Sequence, residues 1–226
     1  MPDSHTHPRD ALLAARIVPV IAIDDVQHAL PLADALLAGG LAVVEITFRT
    51  AVAADVIRVL TERRPHMLVG AGTVLDPSTV DAAVEAGARF ALAPGCLPST
   101  VERAAERGLP FIPGVQTPSE VELARSLGCS LLKFFPAEAA GGLPMLEAIH
   151  APYRHTGVRF IPTGGVNPNN LAAYLASPAV AAVGGTWLAR PADMREGRFE
   201  EITARVREAL DACRPRPTHE GSSPGS

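Results

Sequence analysis

The sequence predicts an α/β fold, a (β/α)8 TIM barrel preceded by a short helix, on three observations. Short runs rich in Val, Ile and Leu alternate with longer Ala- and Leu-rich stretches of helical period. Eight such repeats fit into roughly 200 residues, the length of a barrel with few insertions. Polar side chains collect where the strand runs end, and in a barrel that rim carries the active site.

The elements follow in order. A short helix, about Asp10 to Ala15, precedes the first strand. The strand runs are "RIVPVIA" from Arg16, "LAVVEIT" from Leu41, "MLVGAG" from Met67 and "RFALAPG" from Arg89. They continue with "PFIPGV" from Pro110, "SLLKFFP" from Ser130, "RFIPTGG" from Arg159 and "VAAVGGT" from Val180. Between them lie amphipathic stretches such as "DDVQHALPLADALLAGG" and "PSEVELARSLG". Gly39, Gly108 and Gly128 stand where helix C-caps belong. Asp76-Pro77 and Thr117-Pro118 read as helix starts, with proline in the first turn. The expected organisation is a flexible N-terminus over 1–9, one domain over 10–213 and a disordered Pro/Ser/Gly-rich tail over 214–226.

An open doubly wound sheet is the structural rival. Its dinucleotide form needs G-x-G-x-x-G after an early strand. "GAGTVL", Gly70 to Leu75, supplies the first two glycines but has Leu75 in the third place, so that fingerprint is rejected. The 226 residues are 47% hydrophobic with a net charge of −4, enough for a large core and without a large basic block. Nucleic acid and anionic membrane are poor partners for such a surface. No apolar run approaches the roughly 18 residues of a membrane span, and the polar N-terminus has no signal-peptide core. Cys96, Cys129 and Cys213 are odd in number and widely spaced, against a disulfide framework or structural zinc and in favour of the cytoplasm.

The stretch "LLKFFPAE" places Lys133 at the end of an apolar strand. Lysine is seldom buried unless paired. Lys133 is therefore either an ion-paired or snorkelling side chain, or a nucleophilic amine whose apolar neighbours Phe134 and Phe135 disfavour the ammonium form. Such an amine forms a Schiff base with a ketone. Glu45 ends another strand, and Glu45, Thr47 and Arg49 point to one side by strand alternation. Glu45 is either a general acid/base or one half of a structural pair with Arg49 or Lys133. Arg49 is a bidentate carboxylate binder or a solvated arginine opening a helix. Thr73 binds substrate or caps the helix that starts near Asp76.

Thr163-Gly164-Gly165 and Gly184-Gly185-Thr186 end the last two strands, where barrels often hold phosphate. No histidine ends a strand, no H-E-x-x-H spacing occurs, and the one H-x-H, His5 and His7, lies in the N-terminal tail, so a His-ligated metal site is not expected. Cys96 and Cys129 read as packing residues.

Together these segments resemble the bacterial 2-keto-3-deoxy-6-phosphogluconate and 4-hydroxy-2-oxoglutarate aldolases, over about Arg16 to Ala212. The resemblance rests on "PVIAIDD", "GGLAVVEITFRT", "VGAGTVLDP", "APGC", "PGVQTPSE", "LLKFFPAEAAGG", "PTGGVNPNN" and "GGTWL", in that order. It implies a class I pyruvate aldolase without metal or other cofactor, usually a homotrimer. It makes Lys133 the Schiff-base lysine and Glu45 the general acid/base, and gives the pyruvate carboxylate to Arg49 and Thr73. Gly164, Gly165, Gly185 and Thr186 fall to the phosphate, and Pro94, Phe135 and Thr163 line the pocket. The implied substrate is a phosphorylated 2-keto-3-deoxy sugar acid, and the products are pyruvate and glyceraldehyde 3-phosphate. Ala93, where many relatives have serine, and Gln116, in place of a small residue, depart from the pattern and bear on the aldehyde preferred.

Two rivals keep the same fold. A phosphosugar isomerase or epimerase needs only Glu45 and the phosphate loops, though such enzymes commonly use a rim histidine or metal that this sequence lacks. A non-catalytic assembly barrel needs none of Glu45, Arg49, Thr73 and Lys133.

Overall fold

The structure is a computed structural model and describes residues 8–213. Residues 1–7 and 214–226, with His5, His7 and His219, lie outside the described residues; Pro8 and Arg9, expected in the flexible N-terminus over 1–9, open a helix instead. Helix α1 (Pro8–Ala15) begins two residues before the position read from sequence. Strands and helices then alternate as β1 (Ile17–Ile21), α2 (Ala29–Gly39), β2 (Val43–Thr47), α3 (Ala53–Arg63), β3 (Leu68–Gly72) and α4 (Pro77–Glu85). The chain continues through β4 (Ala91–Leu92), α5 (Pro98–Glu106), β5 (Phe111–Ile112), β6 (Gly114–Val115), α6 (Pro118–Ser126), β7 (Leu131–Phe134) and α7 (Gly142–His150). It ends with β8 (Arg159–Pro162), α8 (Leu171–Ala176), β9 (Val183–Gly185), α9 (Pro191–Arg195) and α10 (Phe199–Ala212).

The strands form a curled parallel sheet in two segments, ordered β5-β4-β3-β2-β1-β9 and β6-β7-β8. The run "PFIPGV" is divided because Pro113 has no N–H to give a ladder. Its carbonyl still accepts from the Lys133 N–H at 2.8 Å. Strands β1, β2, β3 and β7 are buried at every position, as a parallel sheet covered by helices requires. Because the strands run parallel, their carboxyl ends share one rim.

Local signals set the helix starts. The Asp76 side chain accepts from the Thr79 N–H at 2.8 Å with Pro77 in the first turn. Thr117 and Glu120 form a reciprocal capping box, with Pro118 following. The helix ends are less simply read. α2 closes on Gly40, at φ 98°, and Gly39 is its last helical residue. Gly39 has a different cause: a Cβ there would lie 2.5 Å from Val206 Cγ1, so the glycine lets α2 and α10 meet closely.

Candidate active site

Apolar residues fill the core, and the buried exceptions at the rim include Glu45, Thr47, Lys133 and Thr163. β2 carries Glu45, 1% exposed, and β7 carries Lys133, 5% exposed. Although 88 residues apart in sequence, Lys133 Nζ donates to Glu45 Oε1 at 3.2 Å. This is the only hydrogen bond of the ammonium among the described residues, and the other carboxylate oxygen, Oε2, is buried with no partner. Burying an ion pair costs several kcal/mol per ion unless remaining protons and lone pairs are satisfied. An incompletely satisfied pair is therefore poor as a fold-stabilising device and well suited to receive a polar reactant. The Phe135 ring centroid lies 5.7 Å from Nζ and closes one side.

Glycine on the neighbouring strand makes this possible. Glu45 pairs in register with Gly70 on β3, and Gly72 follows on the same face. A Cβ on Gly72 would stand 2.1 Å from Glu45 Oε1, and one on Gly70 2.3 Å from the Phe90 ring. The two glycines that failed as a dinucleotide fingerprint clear the interior for Glu45 and Phe90. A strand glycine as a mark of close approach was the available signal.

Thr47 is a buried support that the sequence placed on the Glu45 face without assigning it a task. Its hydroxyl donates to Ile21 O at 3.1 Å and accepts from Arg49 Nε at 3.1 Å. Arg49 itself is exposed at the rim. Thr73, just past β3, has φ 57°, an outlier for a β-branched residue that costs about 1–2 kcal/mol. It is not the cap of α4, since Asp76 fills that position.

Gly114 on β6 pairs with Lys133, and a Cβ on it would meet Pro94 O at 2.1 Å, which sets Pro94 one strand from the lysine. Thr163 is buried and bridges to Gly184, where a Cβ would be 2.1 Å from Thr163 Oγ1. A Cβ on Gly185 would fall 2.6 Å from the Trp187 ring. Both glycines of the last strand thus have packing causes besides any closeness to a ligand. Past them, Arg205 donates to Trp187 O and Leu188 O at 3.2 and 3.0 Å, pinning the segment that presents exposed Thr186.

Gly164 and Gly165 both take positive φ, 97° and 85°. Gly165 O accepts from Asn167 Nδ2 and Asn170 Nδ2 at 2.9 and 3.4 Å. The parallel bridge of Thr163 to Gly184 turns the Gly164 N–H towards the last strand, and among the described residues the Gly165 N–H bonds to no backbone carbonyl. A free donor beside tethered carbonyls favours an anion.

Burial pushes the Cys129 thiol up to about 11 and raises that of Cys96, which suits packing residues rather than nucleophiles. Among the described residues no cluster of three or more His, Cys, Asp and Glu side chains could hold a metal ion. No described helix is long and apolar enough to cross a membrane.

A family profile described as KDPG and KHG aldolase matches residues 9–205. A 2-dehydro-3-deoxy-phosphogluconate aldolase of Pseudomonas aeruginosa is 49% identical over 197 residues, covering 87% of this chain and 89% of the relative. The KHG/KDPG aldolase of Escherichia coli K12 is 44% identical over 210 residues, covering 92% of this chain and 97% of the relative. Among solved structures, the KDPG aldolase of Legionella pneumophila, with pyruvate captured as a covalent carbinolamine, superposes with a TM-score of 0.86. It is 41% identical and spans 90% of this chain and 98% of its own.

Proposed function

The chain belongs to the KDPG and KHG aldolase family, and from that premise we propose that it cleaves 2-dehydro-3-deoxy-6-phospho-D-gluconate to pyruvate and D-glyceraldehyde 3-phosphate, with 4-hydroxy-2-oxoglutarate as a second substrate. The observation that carries the proposal is the buried Lys133–Glu45 pair, with Glu45 Oε2 left without a partner.

Lys133 as the free amine attacks the C2 ketone to give a carbinolamine. Loss of water leaves a protonated imine, which withdraws electrons from the C3–C4 bond. Glu45 takes the proton of the C4 hydroxyl, directly or through a water, the C3–C4 bond breaks, and the aldehyde departs. The bonding pair remains on C3 as an enamine. Protonation at C3 and hydrolysis of the imine free pyruvate and restore the amine. One carboxylate serves these transfers in turn because each step returns it to the form the next requires. Glu45 is already within hydrogen-bond reach of the nitrogen on which the imine forms.

Arg49, steadied through Thr47, and Thr73 take the carboxylate of the keto acid. Gly164, Gly165, Gly185 and Thr186 take the phosphate, and Pro94, Phe135 and Thr163 line the cavity between. We further propose one domain over 10–213, closing as an eight-strand barrel. The Gly114 N–H to Gly95 O bond and the Thr163–Gly184 and Phe160–Val180 bridges support that closure. A cytoplasmic homotrimer completes the proposal, on family resemblance and the three free cysteines.

Incubation with pyruvate, borohydride reduction and peptide mass spectrometry test the mechanism. A reduced pyruvyl adduct on Lys133 is expected. Saturating pyruvate with no adduct there defeats it.

A further inference from the structure

Beyond the site residues, one side-chain pair from two distant segments is built against the Gly164-Gly165 loop. Tyr174 on α8 is 1% exposed, and its hydroxyl donates to Glu138 Oε1 at 2.5 Å. Glu138 follows β7 in the stretch that also carries Lys133 and Phe135, and is itself exposed. Its stem lies on Gly165: a Cβ there would be 2.5 Å from Glu138 Cβ and 2.6 Å from Cγ. Its backbone N–H donates to Gly164 O at 3.0 Å, and the Ala137 N–H donates to Thr163 O at 2.8 Å. Gly142 leaves room for the carboxylate, since a Cβ there would lie 3.3 Å from Glu138 Oε1 and 3.6 Å from the Tyr174 hydroxyl.

These contacts have one geometry in common. The loop rests on the Glu138 stem on one side, and its Gly165 carbonyl is held by Asn167 and Asn170 on the other. Tyr174 fixes the far end of that stem to α8. Burial raises the phenol above its ordinary value, so it remains a neutral donor to the carboxylate through the physiological range. A glycine pair at positive φ has little conformational preference of its own, so the direction of the Gly165 N–H depends on what outside the loop holds it.

We propose that the Tyr174–Glu138 pair is a positioning device for the Gly164-Gly165 loop, and that it sets the preference for phosphorylated over unphosphorylated 2-keto acids. This rests on the assignment of that loop to the phosphate. Neither side chain touches the reacting atoms. The effect belongs in the KM of phosphorylated substrate, while capture of the keto acid by Lys133 is independent of it.

The test uses the full chain with Tyr174→Phe, Glu138→Ala and Glu138→Gln. Each is assayed with the 6-phosphorylated substrate, with 4-hydroxy-2-oxoglutarate and by borohydride trapping of pyruvate. Tyr174→Phe and Glu138→Ala are expected to raise KM for the phosphorylated substrate about tenfold. Its kcat, the kcat/KM for 4-hydroxy-2-oxoglutarate and the trapping rate should each stay within about twofold. Glu138→Gln keeps an acceptor for the phenol and should recover most of the loss. Glu138 is exposed, so its truncation opens no core and gives the answer even if Tyr174→Phe folds poorly. Trapping on Lys133 in the parent protein reports on the aldolase assignment by itself. Trapping preserved with an unchanged phosphorylated-substrate KM overturns the clamp alone, as does an equal loss on both substrates. No trapping in the parent overturns the assignment and the clamp with it.

Discussion

Substituting Gly72 by alanine is a sharp test of how the site is assembled. The added methyl would stand 2.1 Å from Glu45 Oε1 and 2.7 Å from both Cδ and Cγ. Non-bonded heavy atoms prefer roughly 3.5 Å or more, so the carboxylate must retreat by about 1 Å. That exceeds the slack in its 3.2 Å bond to Lys133. A misplacement of about 1 Å in reacting groups costs on the order of 100-fold in rate, or about 2.7 kcal/mol of transition-state stabilisation. The backbone at residue 72 is not in the left-handed region, so alanine adds no torsional strain there. Overpacking is expected to cost about 1–3 kcal/mol of stability, which leaves most of a protein of this size folded. The assay is kcat/KM by coupled detection of pyruvate, with a thermal melt alongside. A folded Gly72→Ala protein within threefold of the parent would refute the claim that this glycine places the carboxylate.

Three other outcomes follow from the same geometry. Lys133→Ala should abolish turnover and trapping, and lose about 3–5 kcal/mol of stability by leaving Glu45 charged and unpaired; adding Glu45→Gln should restore part of the loss in a denaturant melt. Thr73→Gly relieves a left-handed β-branched residue, so it should match or exceed the parent in melting temperature while raising KM for the keto acid; lower stability with unchanged KM contradicts both assignments. Cys129, held up to about 11 by burial against 9.0 for a free thiol, should react slowly with maleimide near pH 8 and faster towards pH 11. Because the folded state binds that proton more tightly, its stabilising contribution is complete below pH 9 and declines as pH rises towards 11, which pH-dependent unfolding reads.

Much of the fold was legible because each strand signal is local. Eight apolar runs, Pro-led helix starts and polar strand ends need no knowledge of distant partners. The candidate site residues were legible as types, an amine and a carboxylate on two apolar strands, although Glu45, expected at a strand end, sits in the middle of β2. Their 3.2 Å contact was not, because it depends on β2 and β7 facing one another across the interior. Glycines were the least legible. Gly39 looked like a cap, yet Gly40 caps α2 and Gly39 answers to Val206 on α10. Gly70 and Gly72 answer to Phe90 and Glu45, and Gly165 to Glu138. A glycine's cause often lies in the atom that approaches it, which sequence order does not reveal. The split at Pro113 was readable from the missing N–H, but a single run was expected because Phe111, Ile112 and Val115 are strand formers.

The fit of Gly72 under Glu45 also orders the routes by which this site can change. The three atoms nearest an alanine methyl at 72 all belong to the Glu45 side chain beyond its Cβ. Replacing Glu45 by Ala first removes Oε1, Cδ and Cγ, the three atoms nearest the new methyl, after which growth at 72 meets none of them. The same two steps taken in reverse pass through an intermediate whose carboxylate is displaced. The pair at 163 and 184 has the same shape, with Thr163 Oγ1 above Gly184. Mutational paths that reshape this rim therefore have a direction, and libraries varying 45 with 72, or 163 with 184, reveal the order that single substitutions must follow.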